Sequence, residues 1–246
     1  GGSAAGAAAS GGYGGGTGGT TGSPYPHGGG GAGMGGAIFN DAGSLTITNS
    51  TFTGNSAGGG AGGSGATGGS GFGGAIFNYS AVLDIRSSTL ARNSVAAASS
   101  GAPDGGAVYS LDDRNCGAGG NTCGITISFD LENSIFSNSR GSTHDIVIDS
   151  HAQSGLDTFS GLIVMSYDNT QFTINNPVSS ADPLLSPLGH YGGWTPVLVP
   201  HKGSAAIDAL SCAAVVVAVD QRGVTRPQGS SCDVGAVEYD GDYIFA

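Results

Sequence analysis

The sequence predicts an all-β protein whose fold is a right-handed parallel β-helix, a solenoid with Gly-rich inserts and a small C-terminal β cap module. The phrase GGAIFN at residues 35–40 returns at 73–78 and, as GGAVYS, at 105–110. These starts lie 38 and then 32 residues apart, in the range of repeat architectures. An alternating apolar and polar phrase follows each copy, and this period of two is typical of strands. We therefore expect a core built by stacking.

The chain divides into three segments. A Gly/Ala-rich N-terminal segment (1–34) precedes the parallel β-helix with its inserts (35–178), and a C-terminal module (179–246) follows. HDIVIDS (144–150) and GLIVMSY (161–167) have the alternation of further strands, so they predict a fourth and less regular coil.

The alternating phrases predict which side chains enter the core. They read LTITNSTFTGN (45–55), LDIRSSTLARN (83–93) and FDLENSIFSNS (129–139). Aligned coils place like residues about 4.8 Å apart, the spacing of neighbouring strands. Asn49, Ser87 and Asn133 share the inward parity at a corner, where a short polar side chain can bond the turning backbone. The predicted inward residues are Ile38, Leu45, Ile47, Phe52, Ile76, Leu83, Ile85, Leu90, Val108, Phe129, Leu131 and Phe136.

The repeated glycine phrase predicts a tight bend followed by an aromatic stripe. Glycine admits the bend because it has no Cβ. Phe39, Phe77 and Tyr109 have outward parity, so they are expected to form a column on one face. Either Gly-rich loops or a neighbouring subunit cover this column, or it is a platform that binds sugar rings.

Glycine is also abundant between the repeats, with 49 residues in the chain. The segments 1–34 and 56–72 are of low complexity. They are either mobile linkers or extended glycine chains packed side by side, and we favour the ordered packing. The scarcity of charged residues makes a solvated coil less natural.

Charge and cysteine usage narrow the functional class. A formal net charge of −11 has the wrong sign for binding phosphates, so we expect no nucleic-acid partner. The four cysteines form two natural pairs, Cys116 with Cys123 and Cys212 with Cys232, which favours disulfides and an oxidising, extracytoplasmic setting over four free thiols. Their spacing does not indicate zinc. The longest apolar run, 209–219, is too short to cross a bilayer of about 30 Å.

Two stretches resemble known families of secreted proteins. The GGAI and FxxN phrases over 35–140 resemble the repeats of bacterial surface β-helix proteins of the polymorphic outer-membrane protein class. DPLLSPLGHYGGWTPVLVPHKGSAAID (182–208), DQRGVTRP (220–227) and CDVGAVEY (232–239) resemble the C-terminal module called the choice-of-anchor Q domain. The resemblance implies a bacterial protein that is secreted or displayed on the cell surface, with a module of poorly defined biochemical role.

The C-terminal module carries several charged residues among Gly, Ala and Val. Arginines that face carboxylates suit a fixed polar network, which we expect to clamp the C-terminal end of the helix. The last residues, including Tyr239, Tyr243, Ile244 and Phe245, predict a tail that adds as a strand to a neighbouring subunit. The predicted network consists of Asp208, Asp220, Arg222, Arg226, Asp233 and Glu238.

Polysaccharide lyases that share the β-helix scaffold need clustered carboxylates for calcium, and the hydrolases need a pair of carboxylates at a set separation. Asp84 and Asp130 occupy equivalent outward positions, and Arg86 and Glu132 occupy the next pair. Two aligned carboxylates could hold Ca²⁺ or share a proton, but Arg86 beside them favours an ordinary cross-strand charge ladder. The other positions considered show no catalytic signature, so no catalytic residue, metal or cofactor is predicted. These other positions are Asp112, Asp113, Arg114, His144, Asp145, His151, Gly189, His190 and Tyr191.

Three functions remain open at this point. The leading hypothesis is a non-enzymatic extracellular structural protein, a building block of a surface layer, sheath or filament that adds head to tail. The second is an adhesin or carbohydrate-binding stalk that uses the aromatic stripe on a cell-surface polysaccharide. The third is a polysaccharide lyase or hydrolase, which fold class alone does not decide.

Overall fold

The computed structural model describes most of the chain, and every structural statement below concerns that part. The described residues are 3–4, 7–8, 10–19, 27–99, 101–112, 128–150, 157–168, 170, 172–175, 177–215 and 217–241. They form short strands, nearly all in parallel pairs, with one short 3₁₀ helix.

The strands follow the repeats, and we call the strands contributed by one repeat a rung. Before the first rung lie β1 (Ser3–Ala4), β2 (Ala7–Ala8) and β3 (Gly33–Met34). Rung 1 comprises β4 (Ile38–Asp41), β5 (Ser44–Thr48), β6 (Thr51–Thr53) and β7 (Ser56–Gly58), and β8 (Gly71–Phe72) follows it. Rung 2 comprises β9 (Ile76–Tyr79), β10 (Val82–Arg86), β11 (Thr89–Ala91) and β12 (Ser94–Ala96). Rung 3 comprises β13 (Val108–Asp112), β14 (Phe129–Glu132) and β15 (Ile135–Ser137); rung 4 comprises β16 (Ile146–Ser150), β17 (Thr158–Ser160) and β18 (Ile163–Val164); and the 3₁₀ helix is Cys212–Ala214.

Each rung adds one strand to each of three parallel four-stranded sheets. We call β4-β9-β13-β16 the stack sheet, β5-β10-β14-β17 the ladder sheet and β6-β11-β15-β18 the module sheet. Register follows the repeats, because Ile38 pairs with Ile76, which pairs with Val108. The inward side chains of the three sheets form one continuous core, as the alternation predicts. The predicted all-β class with parallel strands is therefore confirmed.

The corners between sheets depend on left-handed backbone at repeated positions. Asn49, Ser87 and Asn133 have φ values of 47°, 47° and 48°, a region that short polar residues tolerate. Gly35 and Gly73, the first glycines of the repeated phrase, have φ values of 69° and 63°. A Cβ on Gly73 would lie 2.2 Å from the carbonyl oxygen of residue 76, so this corner requires glycine.

The C-terminal module lies along the side of the module sheet, which differs from the predicted cap over the end of the helix. Outward residues of three rungs, Ala91, Ile135 and Ile163, are buried against module residues such as Leu198 and Val234. The apolar side chains that cover the last rung are instead Phe172 and Ile174. The physical reason is that the module sheet has apolar side chains on its outer face as well as its inner face.

Candidate functional site at the open first rung

The predicted aromatic stripe exists, but two of its three rings are inaccessible. Phe39, Phe77 and Tyr109 stack nearly parallel, with ring centroids 5.5 Å and then 5.7 Å apart. Phe77 and Tyr109 are buried, whereas Phe39 is 50% exposed. Phe72 packs edge-on against Tyr109. A sugar ring can therefore reach only Phe39. Gly-rich segments cover the other two rings, which is one of the alternatives that the sequence left open.

The cover is a sheet-like packing of glycine backbones, which we call the glycine layer (residues 10–19, 27–35 and 57–72). The N–H of Gly16 donates to the carbonyl of Gly30 at 2.9 Å, and the N–H of Gly30 donates to the carbonyl of Thr67 at 3.0 Å. The N–H of Gly60 donates to the carbonyl of Gly31 at 2.8 Å. The described parts of these segments are thus ordered side by side, the arrangement favoured from the sequence.

Tyr13 fastens the glycine layer to the stripe. Its hydroxyl forms a hydrogen bond with the hydroxyl of Tyr109, and its ring packs 5.3 Å from the ring of Phe72. Both hydroxyls lie 3.4 Å from a carboxylate oxygen of Asp149. Burial raises the pKa of Tyr13 to about 12 and raises the pKa of Tyr109 further, so both phenols stay neutral near pH 7.

The charge ladder on the ladder sheet neutralises the best catalytic candidates. Asp84 is directly beside Asp130, and Arg86 is directly beside Glu132, as predicted. The Nε of Arg86 lies 2.7 Å from Asp84 Oδ1 and 3.6 Å from Glu132, and its NH2 lies 4.0 Å from Asp130. One guanidinium therefore contacts all three carboxylates, which is the arrangement of a structural ladder.

The six predicted network residues of the C-terminal module meet in one hydrogen-bonded cluster, in which Asp220, Arg222, Asp233 and Glu238 are buried and Asp208 is exposed. The guanidinium of Arg222 binds Asp220, with Nε donating to Oδ2 at 2.9 Å. The guanidinium of Arg226 donates to Glu238 at 2.6 Å, and both side chains are 1% exposed. Two more carboxylates complete the cluster: Asp233 accepts the N–H of Asp208 at 2.7 Å, and Asp208 accepts the N–H of Ser231 at 2.7 Å. The cluster ties the turns of the module together.

Beside this cluster is a half-open cleft of about 310 Å³ lined in part by Asp208, Asp233 and Asp240. Burial raises the pKa of Asp233 to about 6, against the opposing effect of the N–H groups of Asp208 and Tyr239. Among the described residues, no group of three or more His, Cys, Asp or Glu side chains is placed to hold a metal ion.

The remaining predicted positions fall into two groups. The Cys212–Cys232 disulfide is present, with Cα atoms 5.1 Å apart, and the Nδ1 of His144 lies 2.8 Å from Asp104. The N–H of Tyr239 donates to Asp233, so this end of the predicted tail belongs to the module cluster. Asp112 and Asp145 are buried, and His190 is exposed. The positions outside the described residues are Cys116, Cys123, Asp113, Arg114, His151, Tyr243, Ile244 and Phe245.

Rung 1 differs from the other rungs because one side of it is open. Strands β4, β5 and β6 are the end strands of their sheets, and no described strand pairs with their outer edges. Ile38, Leu45 and Phe52 pack on the core but are only partly buried. The sequence from 35 to 58 contains a single charged residue, Asp41. Exposed strand edges are usually protected by charges or proline, and this edge has almost no such protection.

Trp194 stands on a hairpin beside this open rung. Gly189 and Val197 pair antiparallel, so residues 190–196 form the loop, and Trp194 is 98% exposed. The side chain of Gln221 links the loop to the rung, donating to Thr195 at 3.0 Å and accepting from Thr51 at 2.6 Å. Sequence reasoning missed Trp194, although a single tryptophan in a Gly/Pro-rich turn is a signal of an exposed aromatic group.

Comparison with models of known protein families, with curated proteins and with solved structures found no match for this chain. In the part of the chain that the structure describes, no helix has the length and apolar character needed to cross a membrane.

Proposed function

We propose that this chain is a non-enzymatic extracellular structural protein, a right-handed parallel β-helix that serves as a building block of a cell-surface assembly. Three parallel sheets that each receive one strand per repeat support the β-helix. The right hand follows from the general preference of parallel crossover connections. The Cys212–Cys232 disulfide and the resemblance of 182–239 to the choice-of-anchor Q module support an exported protein, because disulfides persist in oxidising compartments.

The observation that carries the assembly role is the open edge of rung 1. In a parallel sheet, the N–H and the C=O of one residue point to the same neighbouring strand, and those of the next residue point to the opposite side. The N–H of Asn49 donates to the carbonyl of Arg86, and the carbonyl of Gly43 accepts from the N–H of Val82. Odd-numbered residues of β5 therefore face rung 2, and the N–H of Thr46 faces away from it. An added strand that binds this edge would satisfy such groups, in the manner of β-augmentation.

Electron microscopy of the purified chain tests this function. We expect particles that contain two or more chains from the unmodified chain and from Thr46→Ala, which keeps the outward N–H. Thr46→Pro removes that N–H and places its ring on the open edge, without removing a bond to rung 2, so assembly should be lost. Circular dichroism checks that both variants fold. Dispersed monomers of the unmodified chain, together with cleavage of an acidic polysaccharide that Asp84→Asn abolishes, would replace this proposal with an enzyme.

A further inference from the structure

The two ends of the stacked rungs differ in what they offer to a partner. At the last rung, the N–H of Ile146 donates to the carbonyl of Ser166, and the N–H of Val164 donates to the carbonyl of Ser179. Phe172 and Ile174 cover the core there and are buried. The outer edges of β16 and β18 are thus already used by the chain itself. Rung 1 has no equivalent cover among the described residues.

We propose that the open first rung binds the open first rung of a second copy, with Trp194 of each copy packing against the edge of the other. This inference rests on the proposed function and names the partner of the same surface. Head-to-tail addition would need an open last rung, but Ser166 and Ser179 already bind the edges of β16 and β18, and Phe172 and Ile174 cover the core there. Among the described residues, the edge at which three strands are left unpaired and uncovered is that of rung 1, and a second copy offers the same edge.

Charge is compatible with contact between two identical faces. The chain has a net charge of −11, so most contacts between two copies would bring carboxylates together. The sequence of rung 1 contributes only Asp41 to its face. A nearly uncharged face avoids like-charge contacts when it meets itself, which is the requirement of a two-fold interface.

Trp194 supplies the anchor that a bare strand edge lacks. Tryptophan is the residue type most enriched among side chains that dominate binding energy at interfaces. At 98% exposure it contributes almost nothing to the packing of its own module. Phe39, 50% exposed on the same rung, offers a second apolar surface beside the edge. A two-fold contact closes on itself, so the expected product is a dimer and not a fibre.

Sedimentation velocity of the 246-residue chain between about 1 and 100 µM tests the inference, because this range resolves dimers with micromolar dissociation constants. We expect a reversible dimer with twice the chain mass of 23.8 kDa. Trp194→Ala should raise the dissociation constant by about 30-fold or more, the effect of losing a central interface tryptophan. Leu184→Ala is the matched control, because Leu184 is an apolar side chain that is 45% exposed on the same module. It lies away from the open rung, since the carbonyl of the next residue, Leu185, accepts from the guanidinium of Arg92, which follows β11 of rung 2.

A second pair of variants tests the strand edge independently of Trp194. Thr46→Lys places a cation on rung 1, beside Asp84 of rung 2. Thr158→Lys places the same cation on rung 4, beside Asp130 of rung 3. Only the first should weaken the dimer, because only it adds like charges across the interface. A dimer insensitive to both Trp194→Ala and Thr46→Lys overturns the inference. Fibres of the unmodified chain overturn it but leave the building-block function standing, and a monomer throughout overturns both.

Discussion

The stack sheet and the module sheet both bury their outer faces, but they use opposite means. The glycine layer covers the stack sheet mainly with closely packed backbone, which the rings of Tyr13 and Phe72 hold against the stripe. Its chains approach so closely that a Cβ on Gly30 would lie 1.8 Å from the carbonyl oxygen of Gly60. The C-terminal module covers the module sheet with side chains, and a buried charge cluster holds its turns in place. The first cover depends on the absence of side chains, whereas the second depends on particular ones.

This difference explains why the ladder sheet needs no cover. Its outer residues are polar and partly exposed, and one arginine balances three carboxylates. The stack sheet carries aromatic rings outward, and the module sheet carries Ile135 and Ile163 outward. Burying that apolar area is favourable by roughly 25 cal/mol per Å². The polarity of each outer face thus decides which faces recruit additional chain.

The largest expected effect comes from breaking the charge cluster of the module. Arg226→Met leaves the carboxylate of Glu238 buried without its guanidinium, and removing one partner of a buried pair costs about 3–5 kcal/mol. Arg86→Met is the matched control, because the guanidinium of Arg86 is 30% exposed in the ladder and its pairs are worth about 0–1 kcal/mol. Urea unfolding measures both free energies.

The double variant Arg226→Met with Glu238→Leu separates a buried-charge penalty from lost packing. Replacing both partners with apolar side chains should recover most of the loss. If the double variant is as unstable as Arg226→Met alone, packing holds the module and the charges are secondary.

A smaller effect is expected from adding one methyl group to the glycine layer. Gly30→Ala forces the backbone around Gly60 to move, and such overpacking costs about 1–3 kcal/mol. Gly31→Ala, at the next residue, meets nothing within 4 Å and should be neutral or slightly stabilising. Gly59 and Gly58 form the same pair of tight and open positions. Thermal unfolding and hydrogen exchange at Phe72 and Tyr109 measure the effect.

Equal behaviour of Gly30→Ala and Gly31→Ala would contradict the close packing of the layer. A loss of protection from hydrogen exchange that is confined to the stripe, with protection of the module sheet unchanged, would show that the two covers are energetically independent. Coupling between them would appear as faster exchange at Ile135 when Gly30 is substituted.

The contrast between the two covers also explains what the sequence could predict. Alternation in LTITNSTFTGN and its relatives determines inward and outward parity, so the columns of Ile38 and of Phe39 were predictable. The charge ladder followed from the same register. The side on which the module docks was not predicted. The outward parity of Ile135 leaves an apolar side chain that another segment must cover, and the strand assignment alone does not take this into account. Glycine carries no periodic signal, so the order of the layer depends on backbone contacts between distant segments.

The smallest expected effect concerns pH and distinguishes the covers by what they titrate. Burial raises the pKa of Asp233 from 3.8 to about 6, so the folded module binds this proton more tightly than the unfolded chain does. The stability from this group is fully present below pH 4 and is lost as pH rises towards 6 and beyond.

Asp233→Asn removes the titration and one acceptor for the N–H of Tyr239, so it should lower the melting temperature overall but flatten its fall between pH 4 and 7. Tyr13 of the glycine layer contributes no such slope in this range, because burial raises its pKa to about 12. Hydrogen exchange at Val234 should therefore change with pH, after correction for intrinsic rates, while exchange at Phe72 should not. An equally steep profile in Asp233→Asn would assign the slope to another carboxylate of the cluster.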